Sequence, residues 1–201
     1  YMDDFVTGEA QTLIASIPKR YTGLAARATY SFKDAYFLEG NLGYTGSEAF
    51  AKGQKFGVFP AISGGWVPTQ YEWVQENLSF IDFWKFRASY GIVGNDRINS
   101  SVRFPFLSTM TQGSGAGIWG GGDNIVESQE ASQNLRWEKA KKFDIGIDAQ
   151  FFKQKIDVTV DFFHENRTGI FQQRASIPDE MGLVTLPWAN VGAMESWGAD
   201  G

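Results

Sequence analysis

Four carboxylates, Asp144, Asp148, Asp157 and Asp161, fall on one parity of two consecutive alternating segments, so an extended backbone brings them to one face of a hairpin. Two acids held a fixed distance apart are what glycoside hydrolysis needs, one to protonate the leaving oxygen and one to attack or to activate water. Here their companions on the same parity are Gly146, Gln150 and Thr159. That hydrated company offers no apolar setting to push one carboxyl pKa away from another. The acids therefore read as the lining of a water-filled space, and no enzyme is expected.

The remaining chemistry-bearing residues are sparse. His164 stands alone on the parity of the apolar residues beside it, and the chain has no Cys, so neither a metal site nor a nucleophile and base pair is expected. His164 reads instead as an interfacial residue. Gly115, Gly117 and Gly120 match the spacing of a dinucleotide-binding loop, but no apolar strand precedes them and no helical pattern follows, so no cofactor is expected. The sequons at Asn77, Asn99 and Asn166 are of a length that chance readily produces. A formal net charge of −5 without a basic cluster argues against a nucleic-acid partner.

The elements that must carry these residues show period two. In 21–32 Leu24, Ala26, Ala28, Tyr30 and Phe32 alternate with Gly23, Ala25, Arg27, Thr29 and Ser31; after a three-residue turn, Tyr36, Leu38, Gly40, Leu42 and Tyr44 alternate with Phe37, Glu39, Asn41, Gly43 and Thr45. Register tests the hairpin, because a slip of one residue would turn the second apolar set to the wrong side. Phe32 opposite Tyr36 puts Tyr30 by Leu38, Ala26 by Leu42, Thr29 by Glu39 and Arg27 by Asn41. A second hairpin follows the same logic, with Ile147 opposite Val160, Ile145 opposite Phe162 and Lys142 opposite Glu165. Further strands are expected over 56–67 and 84–94 and from about Asn190, with Tyr71, Val74 and Leu78 spaced for one or two helical turns between them.

Strands of this length exceed the ~5 to 6 residues usual in globular sheets and meet the ~9 to 11 that cross a bilayer at a tilt. Short and long connections mostly alternate, as in an up-and-down sheet with tight turns on one edge and elaborate loops on the other. Tyr30, Phe32, Tyr36, Trp66, Trp84, Phe86 and Phe151 gather near the short-turn edge like an interfacial girdle, and Tyr44 and Tyr90 suit the opposite one. The reading is an all-β, antiparallel, up-and-down transmembrane β-barrel segment of about seven strands. Its polar parity assigns Arg27, Glu39, Asn41, Arg87, Asp144, Asp148 and Asp161 to the lumen. The uncharged stretch 104–122 reads as a flexible loop, and Phe104, Phe106, Trp119 and Trp188, all placed in loops, are candidates for contact with a substrate or partner.

Beyond parity, the residues carry a resemblance. The run from Gly23 to Phe32, Tyr36-Phe37-Leu38-Glu39-Gly40-Asn41, the 47–53 loop leading to Phe59-Pro60, Arg87-Ala88-Ser89-Tyr90-Gly91, Asn134-Leu135-Arg136-Trp137-Glu138-Lys139 and Asp161-Phe162-Phe163, continued by Arg167-Thr168-Gly169-Ile170 and Asn190-Val191-Gly192, resembles the SusC/RagA family of TonB-dependent outer-membrane transporters. The resemblance implies a 22-stranded barrel in the outer membrane of Bacteroidota, with an N-terminal plug, a TonB box reached by TonB–ExbB–ExbD, and a SusD-like lipoprotein over the outer mouth. Residues 1–201 are then one part of the barrel domain, without plug or TonB box, and the implied function is import of an oligosaccharide or peptide. Two rivals share the alternation: a soluble carbohydrate-binding β-sandwich, which would cover its apolar face with a second sheet, and a passive porin or autotransporter wall.

Overall fold

The computed structural model describes residues 20–78, 80–97, 104–115, 122–174, 176–181 and 186–201. Seven strands form one antiparallel sheet in chain order: β1 (Tyr21–Phe32), β2 (Tyr36–Ser47), β3 (Phe56–Trp66), β4 (Ile81–Asn95), β7 (Glu138–Phe151), β8 (Ile156–Gln173) and β9 (Trp188–Asp200). Two shorter strands, β5 (Thr109–Gly115) and β6 (Gly122–Gln129), make a separate ribbon between β4 and β7. A 3-10 turn (Pro68–Gln70) and one short helix, α1 (Glu72–Asn77), join β3 to β4.

The register expected from parity is the register observed. Phe32 faces Tyr36, Tyr30 faces Leu38 and Arg27 faces Asn41; in the later hairpin Ile147 faces Val160 and Lys142 faces Glu165. Both tight turns use left-handed backbone, at Lys33 and Asp34 (φ 51 and 49) and at Phe152, Lys153 and Gln154 (φ 53, 57 and 61). Positive φ lets a short connection follow the right-handed twist of its strands.

The apolar face has no layer over it among the described residues. Leu24 is 72% and Leu38 52% exposed, and Tyr30, Ile62, Phe162 and Val158 are exposed on the same side. A β-sandwich would bury these residues, so that reading fails. Aromatic rings edge the face at both ends: Trp66 stacks on Phe86 (5.6 Å) and Tyr36 Oη receives the Tyr71 hydroxyl (2.8 Å) near the short turns, while Tyr44 stacks on Phe56 (5.0 Å) at the other end. From Tyr36 to Tyr44 is about 27 Å of strand, or roughly 20 Å across a membrane at the usual tilt, which matches an apolar band of ~25 Å.

Most buried apolar side chains among the described residues fall in two caps. Near the short turns, Ala35, Val67, Thr69 and Val74, the one buried residue of α1, are buried, and Val67 N–H donates to Ala35 O (2.7 Å). Near the long loops, Phe50, Leu135, Trp137 and Phe171 form a cluster, with Ala49, Phe59 and Trp188 against it.

Two expectations are corrected. The 104–122 stretch is not wholly a flexible loop: it contributes β5 and the first residue of β6, with Thr111 opposite Val126 and Gln112 opposite Ile125, and the β-branched Thr111, Val126 and Ile125 favour extended backbone on both strands. Trp188 is not a loop residue. It opens β9, where its N–H donates to Ser132 Oγ (3.0 Å) and its ring lies partly buried against the Phe50 cluster.

Candidate functional site

The face opposite the apolar one carries most of the paired charges, and the ladder sorts them into three networks. On β1 and β2, Arg27 pairs with Glu39 (Nη2 to Oε2, 2.5 Å), whose other oxygen accepts from Asn41 Nδ2 (2.7 Å). Across β4, β7 and β8, Arg87 is the hub for three aspartates. Its Nε lies 3.2 Å from Asp148 Oδ2, its Nη2 2.6 Å from Asp161 Oδ2, and its Nη1 4.0 Å from Asp144 Oδ1. Toward the long loops, Glu165 takes Lys142 (3.2 Å) and Arg167 (2.7 Å), and Arg167 also reaches the buried Glu138 (3.3 Å).

Glycine makes the Arg87 hub possible. Arg87, Gly146 and Asp161 are ladder partners in one row across three strands. With no Cβ at Gly146 the guanidinium lies over the middle strand; a Cβ there would stand 2.7 Å from Arg87 Cζ and would also collide with Asp161 Oδ1. Every aspartate the sequence offered as a catalytic acid sits on this face, three of them on one cation and Asp157 beside Gln150 (3.3 Å).

Between the Arg27 and Arg87 networks lies a hollow of about 530 Å³, lined by Thr29, Ser31, Ser63, Lys85, Arg87 and Ser89, with Glu39 and Asp144 at its sides. Its size falls in the range of small-ligand sites. The structure thus places the seven lumen candidates in two clusters on one face, and three of them, Glu39, Arg87 and Asp144, line the hollow. The loop aromatics separate. Phe104 and Phe106 meet edge to face (6.1 Å) at the base of the ribbon, where Gln129 Nε2 donates to the carbonyls of Phe104 and Leu107, and Trp119 lies outside the described residues.

Parity gave the Lys142–Glu165 pair of the third network and missed Glu138 and Arg167, because the alternation was read only from Lys142 whereas β7 begins at Glu138. It also missed the Phe50 cluster, in which Trp137 Nε1 donates to Lys55 O (3.1 Å) and Asn190 ties Arg136 to Gly169, accepting from Arg136 N–H and donating to both carbonyls (2.8 and 2.7 Å). The motifs containing Trp137 and Asn190 were visible in the sequence; what they hold together was not.

A sheet of bilayer-spanning strands with one uncovered apolar face, aromatic edges and one charged face is the wall of an outer-membrane β-barrel. Residues 3–201 match the family described as TonB dependent receptor-like, beta-barrel, and the chain belongs to it. Among curated relatives, a TonB-dependent receptor of Formosa agariphila is 29% identical over 88% of this chain and 16% of its own length. TonB-dependent receptor SusC of Bacteroides thetaiotaomicron is 23% identical over 87% and 17%. The sheet also superposes on the RagAB peptide importer in its open-open state, with a TM-score of 0.74 and 20% identity over 89% of this chain and 19% of that one. The chain therefore spans about a sixth of the length of the curated relatives it matches.

Proposed function

We propose that these strands are one sector of a closed barrel that imports a nutrient across the outer membrane, an oligosaccharide or a peptide. The plug and TonB box are assigned to other parts of the protein, TonB–ExbB–ExbD supplies the energy, and a SusD-like lipoprotein closes the outer mouth. The observation that carries the reading is the two-sided sheet itself: apolar residues face outward with nothing over them, while ion-paired residues surround a hollow on the other side. β1 and β9 each bond to a single neighbour in this sheet, and in lipid every unmatched backbone group costs several kcal/mol, which supports further strands on both sides.

In this reading Arg27, Glu39, Asn41, Arg87, Asp144, Asp148 and Asp161 line the path of the cargo, Phe104 and Phe106 meet cargo or lipoprotein from the base of the ribbon, and Trp119 is a candidate for the same contact. The likeness to a peptide importer favours a peptide, and the family resemblance keeps an oligosaccharide as the alternative. The test is uptake by cells carrying the full-length protein, with labelled maltooligosaccharides and a labelled peptide mixture as probes, with and without a functional TonB. Import of either class that stops without TonB is the expected result; TonB-independent leakage would return the passive porin. Replacing the seven lumen residues together by Ala is expected to depress import, and unchanged import would remove them from the path.

A further inference from the structure

The outward face changes character along β7. Phe151, Ala149, Ile147, Ile145 and Phe143 are succeeded on the same parity by Lys141 and Lys139, both exposed. We propose that Lys141 and Lys139 form a docking site for the phosphorylated headgroup of a lipid in the outer leaflet. This inference rests on the barrel's place in the outer membrane and not on what the barrel imports.

Height supports it first. From Phe151 to Phe143 is about 27 Å of strand, or ~21 Å along the membrane normal at a ~40° tilt; Lys141 and Lys139 then stand at roughly 26 and 31 Å, just above an apolar band of ~25 Å. These lysines lie at the long-loop end, which faces outward in outer-membrane barrels. Charge supports it second. The ladder neighbours of Lys141 are Ile92 and Asn166 and those of Lys139 are Gly94 and Thr168, and neither lysine pairs with a carboxylate among the described residues. Glu195, the acid on this face of β9, is occupied by His164 (2.8 Å). Lys142, by contrast, points to the other face and meets Glu165. Lys139 and Lys141 stand two residues apart on one face, and a strongly hydrated ammonium suits a phosphate as a point charge.

The row beneath supplies the apolar floor. Phe143, His164 and Trp197 are ladder neighbours, and Trp197 is 80% exposed on this side. An acyl chain lying on Ile145, Phe143 and Trp197 would carry its headgroup to the two lysines, with the indole at the interfacial depth such rings prefer.

The experiment is native mass spectrometry of the full-length protein in detergent, titrated with lipid A bearing its phosphates or with dephosphorylated lipid A. The wild-type protein is expected to retain the phosphorylated lipid preferentially. K139Q/K141Q should weaken that retention about thirtyfold, the product of two membrane-proximal cations. K139R/K141R should keep it, and K33Q/K153Q, at the short turns, should leave it unchanged; heat-modifiable gel migration verifies that each variant is folded. Equal retention of both lipids, equal binding by wild type and K139Q/K141Q, or release of the lipid by inorganic phosphate would overturn the site. Import by K139Q/K141Q is measured in parallel, so failure of the lipid site and failure of the transport reading are told apart.

Discussion

Replacing Arg87 by Met in the full-length protein should destabilise the barrel by about 2 to 3 kcal/mol, and the structure sets that figure. Exposed pairs contribute ~0.2 to 1 kcal/mol each, whereas removing one partner of a fully buried pair costs ~3 to 5. The Arg87 side chain is 35% exposed, Asp148 26% and Asp161 19%, so these contacts lie between the two limits. Two close contacts at ~1 to 1.5 kcal/mol apiece give the estimate. Met keeps the stem that covers Gly146 and removes only the charge. The carboxylates then repel one another, and Asp161, whose Oδ1 is already buried without a donor, loses the guanidinium that serves Oδ2. Neutralising the surplus should reverse most of the loss, so R87M/D148N/D161N is expected to recover more than half of it. The assay is guanidinium unfolding of the protein refolded into phosphatidylcholine vesicles. A cost below ~0.5 kcal/mol, the size of an exposed pair, would refute the hub, as would a triple variant no more stable than R87M.

Gly146→Ala should separate the hub from the charge count: the added methyl displaces the guanidinium without altering a single charge, and a loss of about 1 to 3 kcal/mol in the same titration is expected from overpacking. Val160→Arg, at the middle of the outward face, should cost about 2 to 4 kcal/mol, while Thr159→Arg, on the inner face opposite Asp148, should cost under ~1; equal costs would mean the faces are misassigned. Phe50→Ala empties the centre of the long-loop cluster, where Phe50 is fully buried, and should cost about 3 to 5 kcal/mol or, if only the cap loosens, expose the 47–55 loop to limited proteolysis while the barrel stays folded.

How much of this was legible depended on distance along the chain. Parity fixes which side a residue faces, and tight turns fix register, so Arg27 opposite Asn41 and Lys142 opposite Glu165 followed from sequence alone. Parity also put Arg87 and the three aspartates on one side. It did not reveal that Arg87 shares a row with Gly146, because β4 and β7 are joined through a long excursion whose length sets no register. The β8 strand runs to Gln173, well past the readable alternation, since register shifts around Thr168 and Ile170 and a left-handed Gly169 (φ +71) break the pattern. The Phe50 cluster draws on the β2–β3 loop, the approach to β7 and the end of β8, and no periodicity links segments so far apart.

The division of labour between the faces also constrains which inner residues can be spared for cargo. A soluble sheet is held by its buried apolar side, but here that side is exposed and becomes favourable only against acyl chains. Side-chain attraction within the wall therefore falls to the two small caps and to the ion pairs of the polar face. Arg87 with Asp148 and Asp161, and Arg167 with Glu138 and Glu165, are committed to that task, and drawing them onto a ligand would undo contacts that hold neighbouring strands. Lys85, Ser63 and Ser89 line the same hollow, and Lys85 pairs with no carboxylate among the described residues. Substitutions at these three positions should therefore change what the hollow binds with little effect on stability, whereas substitutions at Arg87 should change both together.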